Sequence, residues 1–250
     1  MKPEYLAALT LSFGLAAVQP AWGAQPAVVE AHSKDTTMNQ QQNLSDRQQA
    51  ILPIGAFTAT GDMPRLREAL NRGLDSGLTV NEIKEMLVQL YAYVGFPRSL
   101  NALGEFMAVL QQREARGVKD DVGRTPGPLP SPEQMLAAGT ANQTKLVGAP
   151  VSGALYDFAP AVDEYLKAHL FGAVFARDNL DWQARELTTV GALSALDGVG
   201  PQVQSHMNIS LNVGLSEAQL REAIDVLRAQ VGPQAAENAN AALERQLATR

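Results

Sequence analysis

The sequence predicts an all-α fold, a helical bundle in which one helical unit occurs twice in tandem. Three observations lead to this prediction. Apolar residues recur at spacings of three and four, helix-capping patterns precede these stretches, and no segment shows the alternation of a half-buried strand. Of the 250 residues, 46% are hydrophobic and 18% are charged, which is a composition that can bury a sizeable core.

An internal repeat organises the chain after residue 43. When the sequence is compared with itself at an offset of 137 residues, thirteen identities fall within residues 44–103, where chance would give roughly four. Most are glycine, proline or apolar residues, which an internal duplication retains because they set helix ends and the core. In the first copy the identical positions are Gly61, Pro64, Asn71, Leu74, Gly77, Leu78, Glu85, Leu90, Ala92, Val94, Gly95, Asn101 and Ala102.

Each copy is predicted to contain four helices, bounded by capping residues and prolines. In the first copy they run from Asp46 to about Thr60, from Pro64 to before Gly77, from the capping box at Thr79 to Gly95, and from Pro97 to about Arg116. In the second copy they begin at Asp181, at Pro201, at the capping box of Ser216, and after Pro233.

The N-terminus is predicted to be an export signal. Lys2 precedes an uncharged apolar run of about 14 residues, which is shorter than the ~20 that a spanning helix needs. Ala21-Trp22-Gly23 is a small-x-small cleavage pattern. We therefore expect a signal peptide at residues 1–23, a flexible leader at residues 24–43, and a periplasmic or secreted protein. The alternative is a buried N-terminal helix.

The remaining boundaries follow from composition. The first repeat is assigned to residues 44–117, a Pro/Gly-rich connecting segment to residues 118–160, and the second repeat to residues 161–250. Within and after the connecting segment, a short helix is predicted at residues 133–146, turns at residues 147–160, and a helix from Asp163 to Ala176.

Composition excludes several classes of function. The chain contains no cysteine, so it has no disulfide, no cysteine nucleophile and no redox dithiol. It has three histidines and a net charge of −6, with no basic stripe that would bind nucleic acid. We expect no cofactor, no resident metal, no nucleic-acid partner and, once the signal is cleaved, no membrane partner.

Glu186 and His206 are the predicted catalytic pair. They lie on consecutive helices of the second copy, where antiparallel packing can bring them face to face. A carboxylate that orients an imidazole makes a competent general acid or base. The equivalent positions of the first copy hold Gln49 and Ala69, so the first copy is predicted to be a scaffold. The alternative is a helix histidine with a structural hydrogen bond.

Two stretches resemble the carboxymuconolactone decarboxylase family. The first runs from Arg185 through Gln204-Ser205-His206 to Ser216, and resembles the core motif of that family. The second, from Tyr91 to Pro97 followed by Asn101-Ala102-Leu103, is similar to the other signature of the family. The resemblance covers roughly residues 44–110 and 160–232. It implies an alkyl hydroperoxidase D-like helical fold.

The resemblance implies a lyase rather than a peroxidase. Alkyl hydroperoxidase D-type members carry a Cys-x-x-Cys pair, and Val199 and Gln202 occupy those positions here. The other branch, γ-carboxymuconolactone decarboxylase, needs neither cysteine nor cofactor. In such a reaction His206 would protonate carbon after CO2 leaves and Glu186 would orient it, with a carboxylated lactone or a related acid as substrate.

Three further residues are candidates for substrate binding. His169 could face the same pocket, Arg98 could bind a substrate carboxylate, and Tyr93 could donate a hydrogen bond to the same anion. Two other functions stay open: an exported binding or assembly protein, and a metal-assisted hydrolase with His169, His206 and Glu186 as ligands. We also expect a homo-oligomer formed through apolar helix faces.

Overall fold

The computed structural model describes residues 43–250, which form helices joined by loops, with no strand in that range. This confirms the predicted all-α class. In the first half the helices are α1 (Asp46–Thr60), α2 (Met63–Asp75), α3 (Val80–Gln89) and α4 (Tyr91–Ala115). In the middle are a 3₁₀ turn (Pro132–Gln134), α5 (Met135–Val147), α6 (Ala154–Phe158), α7 (Pro160–Glu164) and a π-helix (Tyr165–Val174). In the second half are α8 (Trp182–Ser194), α9 (Gly200–Asn212), α10 (Glu217–Gln230) and α11 (Pro233–Leu247).

Helices α1 and α8 cross in the centre of the molecule, and their backbones touch. A Cβ atom on Gly55 of α1 would lie 2.4 Å from the carbonyl oxygen of Thr188, and one on Gly191 of α8 would lie 2.4 Å from that of Leu52. Residue 55 therefore faces 188 while 52 faces 191, so the helices run in opposite directions. Helices α3, α4, α9 and α11 pack on the other sides of α8, so that every residue from Ala184 to Ser194 is buried.

The two halves share one hydrophobic core, to which α1–α4 and α8–α11 all contribute. Their helices also correspond in position: α2 and α9 differ by 137 at both ends, and α3 and α10 begin 137 residues apart. Gly61 and Gly198, which follow α1 and α8, both have positive φ. These correspondences support the internal duplication, which stays a prediction.

Two matched glutamates tie each half to the other. Glu85 of α3 accepts two hydrogen bonds from Arg177, which precedes α8, at 2.6 and 2.8 Å. Glu222 of α10 lies 137 residues later and accepts bonds from the backbone N–H of Leu44, at 2.6 Å, and from Gln49, at 3.0 Å. Each glutamate thus binds residues at or just before the start of the first helix of the other half.

Helix α5 and the π-helix form a hairpin with an equally close crossing. A Cβ atom on Gly139 would lie 1.7 Å from the carbonyl oxygen of Lys167. Asn212 of α9 donates bonds of 2.9 Å to the carbonyl oxygens of Leu146 and Val147, and so fastens the end of α5 to α9. The hairpin therefore covers the helix that carries His206.

Three predicted elements differ in detail. The helix expected from Asp163 to Ala176 is a π-helix over most of its length, preceded by α7. The third helix of the first half ends at Gln89 rather than Gly95, because the chain turns at Leu90 and re-enters a helix that Gly95 interrupts at φ 81°. The segment 147–160 contains the short helix α6.

The predicted signal peptide and nearly all of the predicted leader lie outside the described residues. Within residues 43–250, no helix has both the length and the apolar character needed to cross a bilayer.

Substituting Gly191 with Ala should destabilise the fold by about 1–3 kcal/mol, because the added methyl group meets backbone atoms of α1 that cannot rotate away. Gly104→Ala in α4 is the matched control. Its Cβ would meet nothing within 4 Å, and alanine should stabilise that helix by about 0.5–1 kcal/mol. Urea unfolding measures both, and equal effects of the same sign would contradict the close crossing.

Candidate functional site

The site is built on α8 and α9, the two helices that carry the predicted pair. The side chain of Asp181 caps α8 by accepting a 2.7 Å bond from the backbone N–H of Ala184. Helix α9 begins at Gly200-Pro201, where proline suits the first turn. These starts, together with the packing of α8 against α9, place residues 186 and 206 opposite each other in the core.

Glu186 and His206 form a hydrogen bond, with 2.7 Å between Oε2 and the imidazole Nδ1. Glu186 is fully buried, whereas the side chain of His206 is 11% exposed. An ionised Glu186 would hold the imidazole proton on Nδ1, which leaves Nε2 as the nitrogen that can exchange a proton with a ligand. The second carboxylate oxygen, Oε1, is buried and has no partner among the described residues.

Tyr93 of α4 adds a contribution from the first half of the chain. Its ring lies edge-on to the imidazole of His206, with 5.4 Å between centroids. Its hydroxyl is buried and makes no hydrogen bond within the described part of the chain. Burial, and after it the nearby charge of Glu186, raise the pKa of Tyr93 well above its usual value. Tyr93 therefore stays a neutral phenol beside the pair.

Arg185 is a site neighbour that the sequence analysis did not single out. It is fully buried and donates bonds to Gln89, at 3.0 Å, and to the carbonyl oxygen of Arg177, at 2.7 Å. Glu85 lies 3.6 Å away and supplies the opposite charge. Burial lowers the pKa of the guanidinium, and the charge of Glu85 offsets part of that effect. The available signal was the charged pair Arg185-Glu186 directly before the uncharged stretch from Leu187 to Leu193, which is typical of a buried helix.

The Glu85 carboxylate stays ionised despite its burial. Burial alone would raise its pKa, but the hydrogen bonds and the charge of Arg177 outweigh that effect, so its pKa lies below the usual value. Gln89 completes this network by donating bonds to the Arg185 carbonyl oxygen, at 2.9 Å, and to Thr189, at 2.8 Å. The network anchors α8 at Arg185, the residue directly before Glu186.

His169 and Arg98 lie apart from this cluster. His169 is exposed on the π-helix, where its ring is 5.5 Å from that of Tyr91. Arg98 is exposed in the α4 turn after Pro97. Within residues 43–250, neither makes a hydrogen bond, an ion pair or a ring contact with Glu186, His206 or Tyr93. The structure thus brings together three of the five predicted site residues, and their functional roles stay predictions.

Four cavities in the described part of the chain are lined by side chains other than those of Glu186 and His206. The two largest, of about 600 and 530 Å³, adjoin each other at Asp181 and Trp182, on the outer side of the start of α8. No three His, Cys, Asp or Glu side chains in this part of the chain lie close enough together to hold a metal ion. His169, His206 and Glu186 therefore do not form a common ligand set there.

A comparison with known proteins finds a family match in the part of the chain that carries Glu186 and His206. Residues 160–245 match the model of the Carboxymuconolactone decarboxylase family. This part of the chain belongs to that family. The match spans α7 to α11 and includes Glu186 and His206, and it confirms the resemblance of the second half. A search of curated proteins finds no match to the chain. The carboxymuconolactone decarboxylase family includes both decarboxylases and peroxidase-like members, so membership leaves the reaction open.

Replacing Tyr93 with Phe should reduce the loss of stability at alkaline pH. Because the pKa of Tyr93 is higher in the folded chain than in the unfolded chain, its contribution to stability is full below about pH 10 and is lost as the pH rises above that. Urea midpoints at pH 8 and pH 11 measure the effect. The difference between the two midpoints should be smaller for Tyr93→Phe than for the wild type, and an equal difference would contradict the burial of this phenol.

Proposed function

We propose that the protein is a cofactor-independent lyase of the carboxymuconolactone decarboxylase type, which removes CO2 from a small carboxylated lactone or a related acid. The observation that carries the proposal is the 2.7 Å bond between a fully buried Glu186 and Nδ1 of His206. This bond fixes the tautomer of the imidazole, so that Nε2 can exchange a proton, in surroundings that are largely shielded from water. General acid-base catalysis needs a group positioned in this way.

In the proposed reaction, the bond between the substrate and its carboxylate carbon breaks. The electron pair enters the conjugated system of the lactone, and CO2 leaves. Protonated His206 then donates the proton on Nε2 to a substrate carbon, while Glu186 stabilises the imidazolium through Nδ1–H. The neutral imidazole regains its proton from water. No redox partner is needed, and the chain contains no cysteine for thiol peroxidase chemistry.

Tyr93 is proposed to face the substrate together with His206. Its ring edge already contacts the imidazole, and its phenol stays neutral and can donate a hydrogen bond. Arg98 and His169 are proposed to act at a larger distance, in attracting or admitting an anionic substrate, because both are exposed. The location of the reaction in the periplasm or outside the cell is part of the same proposal.

A second candidate function is that of an exported binding or assembly protein that retains the fold. The small exposure of the His206 ring favours it. In that case the Glu186–His206 bond would contribute to the packing of α8 against α9 and have no chemical role.

Turnover of a panel of small carboxylated lactones should separate the two candidates. The lyase proposal predicts CO2 release by the wild type, with losses of about 10²–10⁴-fold in kcat for His206→Gln and for Glu186→Gln. The matched control is Glu237→Gln, which makes the same change at an exposed glutamate of α11 that has no side-chain hydrogen bond or ion pair among the described residues, and it should leave turnover unchanged.

Each result decides between the candidates. Turnover that survives His206→Gln would contradict the proposed proton donor. Absence of turnover by the folded wild type on the whole panel would favour the binding protein. Circular dichroism of each variant keeps a folding defect from being mistaken for loss of catalysis.

A further inference from the structure

Two neighbouring apolar surfaces are exposed in the described part of the chain. The first, the α4 stripe, consists of Phe96, Leu100 and Met107, which are each about 60% exposed. They share one face of α4, and this face is opposite to the buried residues Ala102, Phe106 and Val109. Gly104 lies between them on the same face, and a Cβ atom there would meet nothing.

The second surface, the connector patch, consists of Leu155, Phe158, Val162 and Tyr165. Phe158 is 88% exposed, and the other three are between 43% and 67% exposed. Helices α6 and α7, five residues each, bury no residue within the chain. Isolated helices of this length are unstable in water, because too few hydrogen bonds offset the entropy of ordering them. An apolar surface packed on this segment would supply the missing stabilisation.

The two surfaces meet at a corner of stacked rings. The ring of Phe96 lies flat on that of Tyr91, with 4.3 Å between centroids, and Tyr91 contacts His169 of the π-helix. Tyr165 lies about one π-helical turn before His169. The α4 stripe therefore continues through Tyr91 and His169 into the connector patch, and the surface is continuous across α4 and the π-helix.

The area of this surface is that of a protein interface. Three of the seven side chains are aromatic, each presenting roughly 150–250 Å² when fully exposed, and four are large aliphatic ones. At exposures between 43% and 88%, the seven together expose on the order of 800 Å². That exceeds the largest apolar patch of a typical monomer, roughly 300–600 Å². It also equals the roughly 800 Å² that each partner contributes to a standard stable interface.

We propose that a second copy of this chain covers the surface, with the α4 stripe of each copy packed on the connector patch of the other. A two-fold axis that lies in the interface, along the boundary between the α4 stripe and the connector patch, places the stripe of each copy over the patch of the other. His169 and Tyr91 then lie at the axis. The proposal is independent of the chemistry at the Glu186–His206 site.

Three double variants of the full chain test the arrangement by sedimentation velocity. The first is Leu100→Glu with Met107→Glu in the α4 stripe. The second is Leu155→Glu with Phe158→Glu in the connector patch. The matched control is Val118→Glu with Val122→Glu, which are exposed to 40% and 61% but lie outside both surfaces. Circular dichroism confirms that each is folded.

We expect the wild type and the control to be dimers. Each of the other two variants should raise the dimer dissociation constant by at least about a hundredfold. An equimolar mixture of those two variants should recover dimers, because the heterodimer keeps one intact contact between a stripe and a patch. A monomeric wild type would overturn the proposal. The proposal would also be overturned if the α4 variant dissociated and the connector-patch variant did not, because that result indicates stripe-on-stripe packing. It would equally be overturned if the mixture of the two variants stayed monomeric.

Discussion

The rest of the structure depends on the close crossing of α1 and α8. Gly55 and Gly191 let the two backbones touch, and because α3, α4, α9 and α11 pack on its other sides, α8 is buried at every residue from Ala184 to Ser194. A charged side chain on such a helix must find a partner in the core, because an unpaired buried charge is costly. Glu186 finds His206, and Arg185 finds Glu85 and Gln89. The crossing therefore creates the conditions for the site.

The two halves of the chain share this core but differ in chemistry. At the positions equivalent to Glu186 and His206, the first half has Gln49 and Ala69. Gln49 bonds to Glu222 and to the carbonyl oxygen of Leu44, and Ala69 is buried in the core. The first half thus lacks the Glu–His pair of the second. It also contributes Tyr93, which lies against His206 from α4, so the site draws on both halves.

The sequence predicted most helix ends and the principal pair of the site. Helix ends follow from local chemistry, as in the capping boxes at Thr79 and Ser216, and local chemistry can be recognised in the sequence. The π-helix was not predicted, because its hydrogen-bond register belongs to a segment that crosses α5 at Gly139, and such contacts leave no local pattern. The partners of Arg185 were missed for a similar reason: Gln89 is 96 residues away in the chain.

The proposed chemistry requires that Glu186 fixes His206 as a proton-exchanging group. The most direct test is the tautomer of the neutral imidazole, which long-range ¹H–¹⁵N NMR of uniformly ¹⁵N-labelled protein reports. We expect the proton to be on Nδ1 in the wild type and this preference to be lost in Glu186→Ala. A proton on Nε2 of His206 in the wild type, or the same tautomer in both proteins, would contradict it.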